Sequence, residues 1–137
     1  MVCIYCGGST RVSNSRSSKI KFSVWRRREC SVCKAIFTTS ENPDLKASVS
    51  VKNFDGSLEP FSTDKVLFSV YSSCKHRKSP LEDARALTDT FNRLVINQIT
   101  SGFVDLKDVQ DLISTILSNF DSVALTYYNA YYVKKMD

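Results

Sequence analysis

The chain has 137 residues, 19 Lys+Arg against 14 Asp+Glu, one His, five Cys and a formal net charge of +5. That length holds one medium domain or two small ones and excludes a large multi-domain enzyme. Apolar residues make up 42%, enough for a core, yet no run long enough to span a bilayer occurs.

The N-terminus, Met1-Val2-Cys3-Ile4-Tyr5-Cys6, has no basic n-region and no apolar h-region. A cytoplasmic location is therefore expected, with no membrane partner. In a reducing compartment, closely spaced cysteines more often bind metal than form disulfides. The charge is unevenly spread. Residues 1–47 hold nine basic and three acidic side chains, a balance of +6, and the rest of the chain balances to −1. Four of the five cysteines lie in the basic third. Such a split suggests a nucleic-acid-binding module joined to a neutral module with another task.

The first module opens on Cys3-x-x-Cys6 and closes on Cys30-x-x-Cys33, with 23 residues between the pairs. Two pairs at this separation match a four-thiolate zinc site of structural type, with no coordination position left for water. A dithiol redox site or an iron–sulfur cluster is the alternative. Short strands are expected over 10–15, 22–28 and 35–39, with a Ser/Lys-rich turn over 16–21. Together these predict an all-β zinc ribbon whose small core leans on the metal. Within Trp25-Arg26-Arg27-Arg28, strand alternation puts Arg26 and Arg28 on one face and Trp25 and Arg27 on the other. Arginine suits phosphate oxygens and guanine edges. Trp25 is expected to cover the ribbon core, with stacking on a base as the alternative.

Glu41-Asn42-Pro43-Asp44 reads as a turn-rich joint between domains 1–42 and 46–137. The second module begins with a strand over 47–53, carrying Val49 and Val51 at period two. Asp55-Gly56 is a hairpin turn signal, and Leu58-Glu59-Pro60-Phe61 is the return segment. Four helices are expected. The first covers 63–74, capped by Ser62, with Val66, Leu67, Val70, Tyr71 and Cys74 inward. The second starts on the capping-box spacing Ser79-Pro80-Leu81-Glu82 and continues past Ile99 to Gly102. Its inward stripe is Leu81, Ala84, Leu87, Phe91, Leu94, Val95 and Ile99. The third is capped near Asp105 and buries Val109, Leu112, Ile113, Ile116 and Phe120. The fourth covers 123–135 and carries Tyr127, Tyr128, Tyr131 and Tyr132, more tyrosine than packing requires. Cys74 is expected to be a buried thiol, and His76 a solvated residue. No Ser/His/Asp set, carboxylate pair or P-loop occurs, so no enzymatic activity is expected.

At this point the chain closely resembles the NrdR family, the bacterial repressors of ribonucleotide reductase genes. The N-terminal marks are Cys3-x-x-Cys6, Val12-Ser13-Asn14-Ser15-Arg16, Arg26-Arg27-Arg28-x-Cys30 and Phe37-Thr38-Thr39. The second module looks like an ATP-cone through Val49/Val51, Asp55-Gly56-Ser57-x-Glu59-Pro60-Phe61 and Lys65. The resemblance implies an α+β chain: an N-terminal zinc ribbon followed by an ATP-cone, a β-hairpin plus four-helix bundle. It implies a repressor in the bacterial cytoplasm, associated with the nucleoid, that binds double-stranded operator DNA of reductase genes. ATP or dATP would set the size of a homo-oligomer, and structural Zn2+ would sit on Cys3, Cys6, Cys30 and Cys33. Carried over, Arg16, Arg26, Arg27 and Arg28 are the DNA candidates. Val51, Lys52, Glu59, Phe61, Lys65 and Tyr128 are the nucleotide candidates, with Tyr132 beside them. The chain departs from the family where Asn53-Phe54 replaces a Lys-Arg pair, Tyr127 an arginine of the last helix, and Trp25 a fourth arginine of the run. It also stops soon after the last helix, without the usual tail. A zinc-ribbon adaptor that binds protein, its cone having lost nucleotide, is the competing expectation.

Overall fold

A computed structural model describes residues 1–133, which divide near Pro43 into two compact units. The first, Met1–Pro43, is an antiparallel sheet of β1 (Thr10–Ser18), β2 (Ser23–Cys30) and β3 (Ile36–Glu41), in that order. β1 and β2 run farther than the sequence pattern predicts, and the turn between them shrinks to residues 19–22, where Phe22 takes φ 50°. The Ser-rich stretch can extend the hairpin because both of its faces are solvated, so no apolar alternation is needed to mark it. Cys3, Cys30 and Phe37 are the only buried members of this unit's core among the described residues.

The second unit, from Asp44, begins with a one-turn helix α1 (Leu45–Ser48) where the pattern predicts strand. Asp44 starts it, its carboxylate accepting from the Ala47 N–H at 3.1 Å. The strand is therefore only β4 (Ser50–Lys52), antiparallel to β5 (Leu58–Pro60). A third strand, β6 (Phe103–Asp105), lies parallel to β4 on its other side. It occupies a stretch beside which the sequence predicts only a helix end.

The helices α2 (Thr63–Ser73), α3 (Pro80–Val95), α4 (Leu106–Ser118) and α5 (Ser122–Tyr131) match the four expected. The last helix ends at Tyr131 with Tyr132 as its C-cap, short of the predicted end at Lys135, and residues 134–135 of that prediction lie outside the described residues. α3 stops at Val95, short of prediction, and passes into a 3-10 turn, Ile96–Gln98. Ser101 (φ 52°) and Gly102 (φ 79°) then make a tight turn closed by reciprocal Thr100–Phe103 backbone bonds. Gly102 suits that left-handed position, so it ends a turn and not a helix. Ser79 starts α3 with Pro80 in its first turn, but its side chain makes no capping bond, contrary to the capping-box reading.

Val49, Val51, Phe61, Val66, Val70, Cys74, Phe91, Val95, Ile113 and Leu117 anchor one continuous core. Each such large apolar side chain contributes about 1.5–3 kcal/mol when fully buried. Leu81, Leu94 and Phe120 are exposed despite their place in the predicted stripes. Leu117, outside those stripes, is fully buried. Among the described residues, no helix is long and apolar enough to cross a membrane.

Candidate metal centre and ligand-facing surfaces

The four predicted thiols converge. The Sγ atoms of Cys3, Cys6, Cys30 and Cys33 all lie within 4.8 Å of one another. Cys3 Sγ is 3.7 Å from Cys33 Sγ, and Cys6 Sγ is 3.5 Å from Cys30 Sγ. Zinc–sulfur bonds of about 2.3 Å give a tetrahedron with edges of roughly 3.8 Å, so the donor set fits zinc.

Two matching turns build this centre. The residue after each pair is left-handed: Gly7 at φ 72° and Lys34 at φ 62°. Each turn aims backbone N–H groups at sulfur. Tyr5 N–H donates to Cys3 and Gly8 N–H to Cys6; Val32 and Cys33 N–H both donate to Cys30, all at 3.4 Å. The Cys33 and Val32 donors pull the Cys30 thiol down to about 6, against the raising effect of burial. Donors aimed at sulfur favour thiolate, the form that binds metal.

The arginines divide by face. Residues directly opposite in an antiparallel pair share a face. Val12–Arg28–Phe37, Ser15–Arg26–Thr39 and Ser17–Val24–Glu41 therefore lie on the core side. Here Arg26 donates to Glu41 at 2.6 Å and Arg28 Nε to Thr39 Oγ1 at 3.2 Å. Asn14–Arg27–Thr38 and Arg16–Trp25–Ser40 lie on the opposite side. Trp25 thus sits away from Phe37 and does not cover the ribbon core, contrary to expectation. A bulge between Val12 and Asn14 sets this arrangement. Arg11 and Arg16 are five apart and would face opposite ways in a regular strand; the extra residue puts both beside Trp25 and Arg27.

In the second unit the six nucleotide candidates separate by depth. Val51, Phe61 and Tyr128 are core residues. Phe61 stacks on Phe91 with centroids 6.1 Å apart, and Tyr128 stacks on Tyr132 at 5.5 Å. Burial raises the Tyr128 phenol well above its ordinary value. Lys52, Glu59 and Lys65 lie nearer the surface. Glu59 is opposite Val51 across the hairpin and accepts from Lys65 Nζ at 2.9 Å. Asn53 Nδ2 donates to Ser57 Oγ at 3.1 Å within the hairpin turn.

Sequence reasoning missed a polar node at the start of α5. Asp121 caps that helix, accepting from the Val123 and Ala124 N–H groups at 2.8 and 3.1 Å. It also binds Arg77 Nη1 at 2.7 Å and His76 Nε2 at 3.1 Å. Backbone donation from Ala124 first, then Arg77 and His76, hold its carboxyl well below the usual range. His76 is exposed, as expected, and is also stacked on Tyr127. Cys74 is fully buried as expected, and burial first, then Asp83, push its thiol up to about 11. Phe68, Ser72, His76, Tyr127 and Tyr131 line a neighbouring cleft of about 780 Å³. Tyr127 and Tyr131 belong to the tyrosine group noted in the last helix, but nothing in the α2 pattern marked Phe68 as exposed.

Known proteins resemble this chain in sequence along most of its length. The N-terminal domain of NrdR-like transcriptional repressors matches residues 1–41. Transcriptional repressor NrdR of Halalkalibacterium halodurans is 34% identical over 133 residues, covering 96% of this chain and 86% of its own. The protein of that name from Thermus thermophilus is 37% identical over 134 residues, covering 96% and 84%. The chain belongs to the NrdR family. Another NrdR repressor, from Symbiobacterium thermophilum, is 41% identical over 93 residues, 68% of this chain and 61% of that relative. Within the NrdR family the four-cysteine unit is the zinc ribbon, and the hairpin with its helices corresponds to the ATP-cone. Transcriptional repression is a regulatory and not an enzymatic role.

Proposed function

We propose that the chain is a nucleotide-sensing, zinc-dependent repressor that binds operator DNA of ribonucleotide reductase genes. The observation that carries this reading is one chain joining a four-thiol ribbon of charge +6 to a hairpin-and-helix unit. Cys3, Cys6, Cys30 and Cys33 hold Zn2+, which supplies folding free energy to a unit with almost no apolar core. The ribbon arginines meet duplex DNA in the cytoplasm. The second unit binds ATP or dATP, with Lys65 near the phosphates as a point charge and Glu59 beside it. Nucleotide identity changes the homo-oligomer, and the oligomer changes operator affinity. By linkage, a nucleotide shifts that affinity only through its differential binding to the two assembly states.

The test is size-exclusion chromatography with light scattering, run without nucleotide, with ATP and with dATP. The reading expects different assembly sizes; one size under all three conditions overturns nucleotide control. Duplex binding should weaken steeply with salt, with a log–log slope of about −4 to −5 for four to six phosphates per protomer.

A protein-binding adaptor with a silent cone is the second reading. Asn53-Phe54 in the hairpin favours it, as does the burial of Val51, Phe61 and Tyr128 in the core. Titration calorimetry separates the two: heat on adding ATP or dATP supports the sensor, and its absence supports the adaptor.

A further inference from the structure

The ribbon sheet has two unlike faces, and they treat their arginines differently. On the core face, Arg26 is held by Glu41 at 2.6 Å, with its side chain only 29% exposed. Arg28 is hooked onto Thr39 beside the buried Phe37. A guanidinium already paired with a carboxylate must give up that partner to take a phosphate. On the other face, Arg16 and Arg27 have no ion-pair partner among the described residues, and both are exposed. The one carboxylate there, Glu29, is taken by Arg11 at 2.8 Å, which holds it below its ordinary range. Asn14, Thr38 and Ser40 add short polar side chains to the same face.

Trp25 lies in the middle of this surface. It is opposite Arg16 on one neighbouring strand and Ser40 on the other, and two residues from Arg27 along its own. A half-buried indole framed by two unpaired guanidiniums is a poor design for solvation alone. It is a good one for a polyanion that also offers flat apolar surface. Strands are known to enter DNA grooves, where phosphate contacts position the protein and apolar contacts reach base edges.

We propose that duplex DNA docks on the Arg16–Trp25–Arg27 face, that Trp25 touches the bases there, and that Arg26 is a positioning residue tied to Glu41. This rests on the DNA-binding reading above and sharpens it. Arg16 and Arg27 each neutralise a phosphate. Trp25 neutralises none, so it supplies affinity without salt dependence. Arg26 holds β2 to β3 from the opposite face.

The chain has one Trp, so its emission reports this surface directly. The zinc-loaded full chain is titrated with a mixed-sequence duplex over a range of salt, following Trp25 emission and its quenching by acrylamide. Binding should shift the emission and shield the indole. Trp25→Ala should weaken binding about tenfold with the salt slope unchanged. Arg16→Ala or Arg27→Ala should each reduce the slope by about 1, and Trp25→Arg should steepen it by about 1. Arg26→Ala should leave the slope alone while lowering the thermal midpoint. Should that variant fail to fold, Glu41→Gln, which frees Arg26, should likewise leave the slope unchanged. Zinc stoichiometry checks each variant's fold. Duplex binding with no change in Trp25 emission, and none on Trp25→Ala, refutes the base contact while the repressor reading stands. A slope that falls for Arg26→Ala, or rises for Glu41→Gln, refutes the face assignment alone. No duplex binding at any salt overturns both readings together.

Discussion

Lys34 occupies a backbone position that suits glycine. Its φ of 62° is the counterpart of Gly7 at 72°, each residue following the second cysteine of its pair. A left-handed residue with a Cβ costs roughly 1–2 kcal/mol relative to glycine. The Lys34 ammonium bond to the Ser31 carbonyl, at 3.0 Å on the surface, recovers little of it. Lys34→Gly should therefore stabilise the ribbon by about 1 kcal/mol, less the extra freedom glycine gives the unfolded chain. Thermal melting of the zinc-loaded protein checks it; a lower midpoint would show that the Ser31 bond dominates. The thiols were legible because metal ligands must follow a spacing. This strain was not, because nothing in Cys33-Lys34-Ala35 announces that Lys34 copies Gly7. Trp25 was half legible. Alternation assigned it the side of Arg27, but which side carries the core depended on where Phe37 paired.

Asp121 shows the same division at the level of elements. Helices α2, α4 and α5 could be placed from apolar spacing, since a helix must bury a stripe whatever it meets. The elements that depend on distant partners could not. β6 exists because Val104 pairs with Val51, more than fifty residues earlier, and three residues carry too little periodicity to mark a strand. The node around Asp121 is also tertiary: it joins the start of α5 to Arg77, which in turn binds Asp83 of α3 at 2.6 Å. The Asp121 carboxyl has an ordinary value of 3.8 and is held well below it in the folded chain. A depressed carboxyl contributes stability that is fully present above the unfolded value and lost as pH falls through the folded one. The helical unit should thus lose stability progressively below about pH 4. Asp121→Asn keeps a capping oxygen but removes the charge, so it should destabilise at neutral pH and flatten that acid limb. Denaturant midpoints of both proteins across acidic pH test this; parallel curves would remove Asp121 from the acid response.

At the scale of the whole molecule, the two units differ in what holds them. The ribbon buries only Cys3, Cys30 and Phe37 as core among the described residues, and two of those belong to the four-thiol cluster. Its Tyr5–Phe37 edge contact, with centroids 6.4 Å apart, adds little apolar burial. Without metal, four thiols and a polar three-stranded sheet cannot offset the chain entropy of a segment this short. The second unit buries fifteen described residues in one core, from Val49 to Tyr128, and needs no metal for it. A strong chelator should therefore unfold the first unit and leave the second folded. Because Trp25 is the only Trp, and Tyr127, Tyr128, Tyr131 and Tyr132 all lie in the second unit, the two can be followed separately. Chelation should shift Trp25 emission to the red and release about one zinc per chain, with helical circular dichroism nearly unchanged. A second transition, on heating or in denaturant, should then remove the helices at a midpoint close to that of the zinc-loaded protein. Acid should mimic the chelator, since thiolates must be deprotonated to hold zinc. Loss of helical signal at the same chelator concentration as the Trp25 shift would show instead that the second unit draws its stability from the first.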